Sequence, residues 1–214
     1  ICHHVARVPS NWRMTDSLPN FLAKHHIPGL QGIDTRELVR KLRQYGTLRG
    51  IMTDNVTDIK DKIEQLKQTS PTQNIISKVS TKGSYANPGT KRTVVVLDFG
   101  MKNSILRELN KRNCNAIVLP YNASISEIMT FNPDGILLSN GPGDPLEMTT
   151  IAETVAELEK HVPIFGICMG HQIFALANGA KTYKMKFGHR GFNHPVRNLK
   201  TGKIAFTSQN HGFA

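Results

Sequence analysis

From residue 93 onward, short apolar runs alternate with segments of helical period. T-V-V-V-L-D (93–98) precedes a pattern with Ile105, Leu106 and Leu109 on one face. A-I-V-L-P (116–120) precedes a short helical stretch around Ile125 to Met129. G-I-L-L-S (135–139) precedes a helix from about Thr150 to Lys160, and V-P-I-F-G-I (162–167) leads into the apolar stretch Ile173 to Ala177. Continuous apolar runs bury both faces of a strand, and strand followed by helix four times predicts a parallel sheet covered on both sides. Past Gly179, K-T-Y-K-M-K-F-G and K-I-A-F-T-S read as further, antiparallel strands.

The first 92 residues have a different rhythm. D-T-R-E (34–37) predicts a helix start in which an Asp or Thr side chain accepts an N–H and Glu37 reaches back. That helix carries Leu38, Val39 and Leu42 on one face and ends at Gly46. A second is predicted from about Asp58 to Lys67, with Ile59, Ile63 and Leu66 at helical spacing. Thr81 to Arg92 has no apolar period and is rich in Gly, Pro and small polar residues, so it reads as a linker. The expected organisation is therefore residues 1–80, a linker at 81–92, and an α/β domain at 93–214.

Composition narrows the class without naming a chemistry. The 214 residues are 39% hydrophobic and 20% charged, as in a soluble globular protein, with no apolar run of membrane-spanning length and no secretory leader. The sequence opens on Ile1 rather than Met and so reads as part of a longer chain. Three cysteines without framework spacing predict a reducing, cytoplasmic setting. A net charge of +11 allows an acidic partner, but Lys and Arg are scattered from Arg7 to Lys203, so nucleic-acid binding is not expected.

In an open parallel sheet, ligands bind beyond the carboxyl ends of the strands. Those ends read D-F-G-M-K, P-Y-N, S-N-G-P-G-D and G-I-C-M-G. G-I-C-M-G places Cys168 between Gly166 and Gly170, the pattern of a strand-to-helix turn that displays a nucleophile. A thiol at a helix N-terminus is favoured as thiolate, and the N–H of Met169 is left free for a developing oxyanion. A buried structural cysteine is the competing reading. N-G-P-G-D (140–144) lacks the Walker and dinucleotide spacings, leaving a tight turn or a second oxyanion donor. S-Q-N-H-G-F (208–213) is a strand-end turn or a holder for a small polar substrate.

Together these stretches resemble the class I glutamine amidotransferases. F-G-I-C-M-G-H-Q carries the broad likeness. S-N-G-P-G-D-P, K-F-G-H-R-G-F-N-H-P-V (186–196), T-S-Q-N-H-G-F-A (207–214) and G-I-D-T-R-E-L-V-R-K-L-R point to the glutaminase subunits of carbamoyl-phosphate synthetases. The resemblance implies a flavodoxin-like three-layer domain, preceded by the last part of a smaller α+β domain. It makes Cys168 the nucleophile, with Gly141 and Met169 giving oxyanion N–H groups. Gly143, Gln172, Asn210, Gly212 and Phe213 join them in lining the glutamine pocket. The steps the resemblance implies are a thioester, release of ammonia to a large partner subunit, and hydrolysis to glutamate. ATP and a divalent metal belong to that partner, so no cofactor or metal is expected on this chain. Arginine and pyrimidine synthesis both remain open, as does fusion to the partner.

The family's base is a histidine in an H-P-E segment, and no H-x-E occurs here. The resemblance implies that the base lies past Ala214, that a pocket serine precedes Ile1, and that these residues alone are inactive. His171 reads as structural or interfacial, His211 as flanked by pocket residues, and His189 and His194 as loop-ordering. Cys2-His3-His4 has no zinc spacing, and Cys114 reads as packed. Other readings are another amidotransferase of the class, a non-catalytic docking module, or a dienelactone-type cysteine hydrolase.

Overall fold

The computed structural model describes residues 1–70 and 72–214, which divide into two compact units, Ile1–Asp54 and Asn55–Ala214. The first unit holds α1 (Leu18–Lys24) and α2 (Thr35–Tyr45). Ser17 caps α1, its side chain accepting from the Asn20 N–H, and Asp34 does the same for α2 from the Glu37 N–H at 2.9 Å. Glu37 does not complete the reciprocal cap, because its carboxylate turns to Arg40 at 3.4 Å. Gly46 ends α2 at φ 90°, as its freedom from a Cβ allows. Among the described residues of this unit only Gly46 is buried; Trp12 is 86% exposed.

The second unit runs α3 (Ile59–Gln68), α4 (Ile75–Val79), β1 (Tyr85–Asn87), β2 (Thr93–Asp98), α5 (Asn103–Lys111), β3 (Asn115–Pro120), α6 (Ile125–Met129) and β4 (Gly135–Leu138). A 3-10 turn at Pro145–Met148 follows, then α7 (Thr149–Leu158), β5 (Ile164–Gly166), α8 (Met169–Ala177), β6 (Lys184–Arg197) and β7 (Ile204–Phe213). Five strands form one sheet in the order β1-β3-β2-β4-β5, with β2 to β5 parallel and β1 antiparallel at the edge. All four parallel strands expected from the apolar runs are present.

Alternation along the strands divides the interior into two layers. Val95, Leu97, Ile136 and Leu138 face Val155 and Leu158 of α7 and Met169 and Ile173 of α8. Val96, Ala116, Val118 and Leu137 face Ile105, Leu106 and Leu109 of α5. A sheet buried on both faces needs helices on both, which gives the expected three layers.

Three expectations need correction. The supposed linker, 81–92, contains β1, whose Tyr85, Ala86 and Asn87 pair with Val118, Ile117 and Ala116. Three residues are too short to show a period, and the edge of β3 supplies their order. The supposed boundary also shifts: the compact units part at residues 54 and 55, and Ile76 of α4 is buried in the sheet's core. S-Q-N-H-G-F is not a turn either, since it lies within β7. Among the described residues no helix is long and apolar enough to cross a membrane.

Candidate active site

Register aligns the ends of three strands. Leu97 sits opposite Leu138, and Leu138 opposite Gly166, so the segments after β2, β4 and β5 leave the sheet side by side. Polar groups then bind these segments to one another. Asp98, only 7% exposed, accepts through Oδ1 from the Gly100 and Met101 N–H groups at 2.9 and 2.7 Å, and through Oδ2 from Thr81 at 2.7 Å. Ser139 is fully buried; its Oγ accepts from the Phe99 N–H at 2.9 Å and donates to the Asn140 carbonyl at 2.9 Å. Asn140 accepts from Lys102 N–H at 3.0 Å and donates to the Gly100 carbonyl at 3.3 Å. The Ser139 carbonyl receives the Gly170 N–H at 3.0 Å, which ties the cysteine's turn to the neighbouring loop.

Cys168 stands at the N-cap of α8 with φ 53° and ψ −106°, a backbone state that L residues adopt only when their surroundings impose it. The surroundings are the two glycines. A Cβ on Gly170 would lie 2.2 Å from the Leu138 carbonyl oxygen, and one on Gly166 would lie 2.6 Å from the Gly170 backbone. Strand and helix therefore approach more closely than any side chain permits, and the chain between them is forced into the strained turn. The result is an exposed thiol, the displayed rather than the packed alternative. Among the described residues no hydrogen bond reaches its Sγ, and His171, three residues on, is exposed.

Gly141 is fixed for a similar reason: a Cβ there would lie 2.3 Å from the Phe99 carbonyl oxygen. Gly143 takes φ 98°. Met169 opens α8, where the first N–H groups have no helical partner. The structure brings Gln172 and Phe213 together, with the Gln172 amide donating to the Phe213 carbonyl at 2.6 Å. Gly212 is half-buried beside them in sequence, whereas Asn210 points to the exposed side of β7, paired in register with Arg190. Asp98, Ser139 and Asn140 were not named as site residues from the sequence, although each lies in a strand-end stretch that was.

The hairpin of β6 and β7 reverses the usual alternation. Thr207, Gln209, His211 and Phe213 form its half-buried side, while Phe206 is 73% and Phe192 86% exposed. Cys114, expected to be packed, is half-buried just before β3. Two clefts lie elsewhere: one of about 580 Å³ lined by Cys2, His4, Asp16 and Phe21, and a groove of about 350 Å³ lined by Ile105, Leu109, Leu137 and Phe165. Cys168 lines neither. Among the described residues no group of three His, Cys, Asp or Glu converges on a metal position.

Comparison with known proteins gives this geometry a family. Residues 95–214 match Glutamine amidotransferase class-I, and residues 1–52 match Carbamoyl-phosphate synthase small chain, CPSase domain. The carbamoyl phosphate synthase pyrimidine-specific small chain of Lactiplantibacillus plantarum is 55% identical over 214 residues, covering 100% of this chain and 58% of the relative. A carbamoyl phosphate synthase small chain of Bacillus cereus is 56% identical, over 100% of this chain and 57% of its own. That of Lactococcus lactis subsp. lactis is 51% identical, over 100% and 60% respectively. The chain thus spans somewhat more than half the length of these relatives. Its elbow cysteine, its glycine-bound loops and the match across residues 95–214 together place the chain in the class I glutamine amidotransferase family.

Proposed function

We propose that this chain belongs to the glutaminase component of a carbamoyl-phosphate synthetase. The observation that carries the reading is Cys168: an exposed thiol, in strained backbone at a helix N-terminus, between two glycines that admit no side chain. Its Sγ attacks the side-chain carboxamide carbon of glutamine, and the N–H groups of Met169 and Gly141 receive the charge that develops on oxygen. Collapse expels ammonia and leaves a thioester, which water cleaves to glutamate. Gly143, Gln172, Asn210, Gly212 and Phe213 hold the substrate. The ammonia passes to a large partner subunit that supplies ATP and metal chemistry, so this chain itself requires neither cofactor nor metal. The relatives named as small chains of carbamoyl phosphate synthase support that partnership, and a cytoplasmic setting belongs to the same proposal.

Since no H-x-E occurs in the sequence, the family's general base is not among these residues, and by themselves they are expected to turn over no glutamine. The test is alkylation by a glutamine chloroketone, read by mass spectrometry, beside a glutaminase assay. Labelling at Cys168 that glutamine suppresses is the expected result. Labelling elsewhere, or without protection by glutamine, would overturn the glutaminase reading. Turnover that disappears in Cys168→Ala would overturn the inactivity.

A further inference from the structure

The β6–β7 hairpin gathers three imidazoles that the proposed chemistry does not use. His189 and His211 are cross-strand partners, so their side chains share one face. His194 lies five residues beyond His189, an odd spacing that would send it to the other face. The register shift between Gly191 and His194 changes the parity and returns it to the same side. The rings of His189 and His194 then sit 4.8 Å apart, and those of His189 and His211 5.0 Å apart, edge to face.

The hydrogen bonds have a direction. The Phe213 carbonyl oxygen can only accept, so His211 Nδ1, at 2.6 Å, must carry a proton. The same oxygen accepts the Gln172 amide at 2.6 Å, so one carbonyl joins the hairpin to α8 four residues past the nucleophile. His211 Nε2 meets Gln209 Oε1 at 2.9 Å and His189 Nδ1 at 3.2 Å. Gln209 Oε1 can only accept, its amide nitrogen being turned to the Thr207 hydroxyl, so Nε2 carries a proton and His189 Nδ1 accepts from it as well. His189 and Gln209 therefore hold the His211 ring from the same side. His194 backs His189 by ring contact alone, its Nε2 buried with no hydrogen-bond partner among the described residues.

We propose that His189 is a positioning residue for the glutamine pocket: it fixes the His211 ring so that Nδ1–H and the Gln172 amide converge on the Phe213 carbonyl. The inference rests on the glutaminase reading above. Its effect falls on binding rather than on the thiol's reaction, because none of these groups touches Cys168 Sγ.

The experiment separates the two on the whole chain, by measuring the half-saturation constant and limiting rate of Cys168 alkylation by the glutamine chloroketone. His189→Phe keeps the ring and removes the nitrogen; the half-saturation constant is expected to rise about tenfold, the weight of one hydrogen bond, with the limiting rate within about twofold. His189→Asn places an amide near the lost nitrogen and is expected to restore it. Ring 15N spectra should show His211 protonated at Nδ1 in the parent and the Asn variant, with the Nε2 resonance shifted in the Phe variant, where one of its two acceptors is gone. An unchanged half-saturation constant in His189→Phe, an Asn variant as impaired as the Phe variant, or a bare His211 Nδ1 in the parent would each overturn the proposal. If the parent shows no protection by glutamine, the glutaminase reading itself falls.

Discussion

The parallel sheet and the β6–β7 hairpin contribute to the proposed site by opposite means. In the sheet, apolar side chains fill both faces, and Val95, Val96, Leu97 and Leu138 are fully buried. In the hairpin the half-buried side is polar, and large apolar residues such as Phe192, Phe206 and Leu199 face outward. Close packing determines backbone to within tenths of an ångström, because a displaced atom meets another atom. The strained Cys168 turn is held in that way. Asn210, Gly212 and Phe213 are held instead by a few hydrogen bonds, each worth about 1 kcal/mol net. On the proposed reading, a nucleophile fixed by packing and a substrate grip fixed by polar contacts would let the grip adjust to its ligand while the reacting atom stays in place.

The largest expected effect breaks this contrast at the sheet. Leu97→Ala empties a fully buried position between β3 and β4 and should cost about 3 kcal/mol, lowering the melting temperature by roughly 10 °C. Phe206→Ala removes a larger side chain from the hairpin's exposed face and should change stability by less than about 0.5 kcal/mol. Thermal unfolding of the two variants decides it. Equal losses would mean that the hairpin is as tightly packed as the sheet.

How much of each region was legible follows from the same contrast. The four parallel strands announced themselves because burial on both faces demands unbroken apolar runs such as T-V-V-V-L-D and G-I-L-L. The elbow was legible because its glycines are irreplaceable: a Cβ at Gly166 or Gly170 would enter backbone. The edge strand Tyr85–Asn87 was not, since its order comes from β3 and leaves no local mark. Asp98 and Ser139, with half-buried Asn140 beside them, escaped because a polar residue held inside looks like a surface one until its partners are known. In the sequence the hairpin reads as strands only as far as K-I-A-F-T-S, and S-Q-N-H-G-F reads as a strand-end turn or a substrate holder. The period-two run Thr207, Gln209, His211, Phe213 carries the strand in polar residues, where an apolar alternation would ordinarily show it.

A smaller effect tests the joint between the regions. Gln172→Leu keeps the bulk of a side chain on α8 and removes its 2.6 Å bond to the Phe213 carbonyl. The loss should be about 1 kcal/mol, and it should fall on the hairpin rather than on the sheet. Amide exchange would show faster opening across Gln209 to Phe213, with protection in β2 and β4 unchanged. Faster exchange in the sheet as well would mean that the two regions open as one.

The smallest effect separates them by charge. No Asp or Glu occurs after Glu159, so the hairpin carries no carboxylate, whereas the helices over the sheet carry several that are held in ionised form. On α5, hydrogen bonds from Lys111 and then Arg112 hold the Glu108 carboxyl down at about 2. On α6, the Ser124 hydroxyl and backbone lower Glu127 in closing the capping box, and on α7 Lys160 lowers Glu157. A carboxylate whose folded pKa is lowered contributes stability that is fully present above its unfolded value near 4.5 and is lost as pH falls toward the folded value. Between pH 4.5 and about 2, exchange protection should therefore decline first along α5, α6 and α7. These carboxylates are exposed, so the decline should be slight and should shrink further in high salt. The hairpin, with no carboxylate to protonate, should show no step of its own in that window, and an independent step there would mean that its order depends on the helices' surface charge.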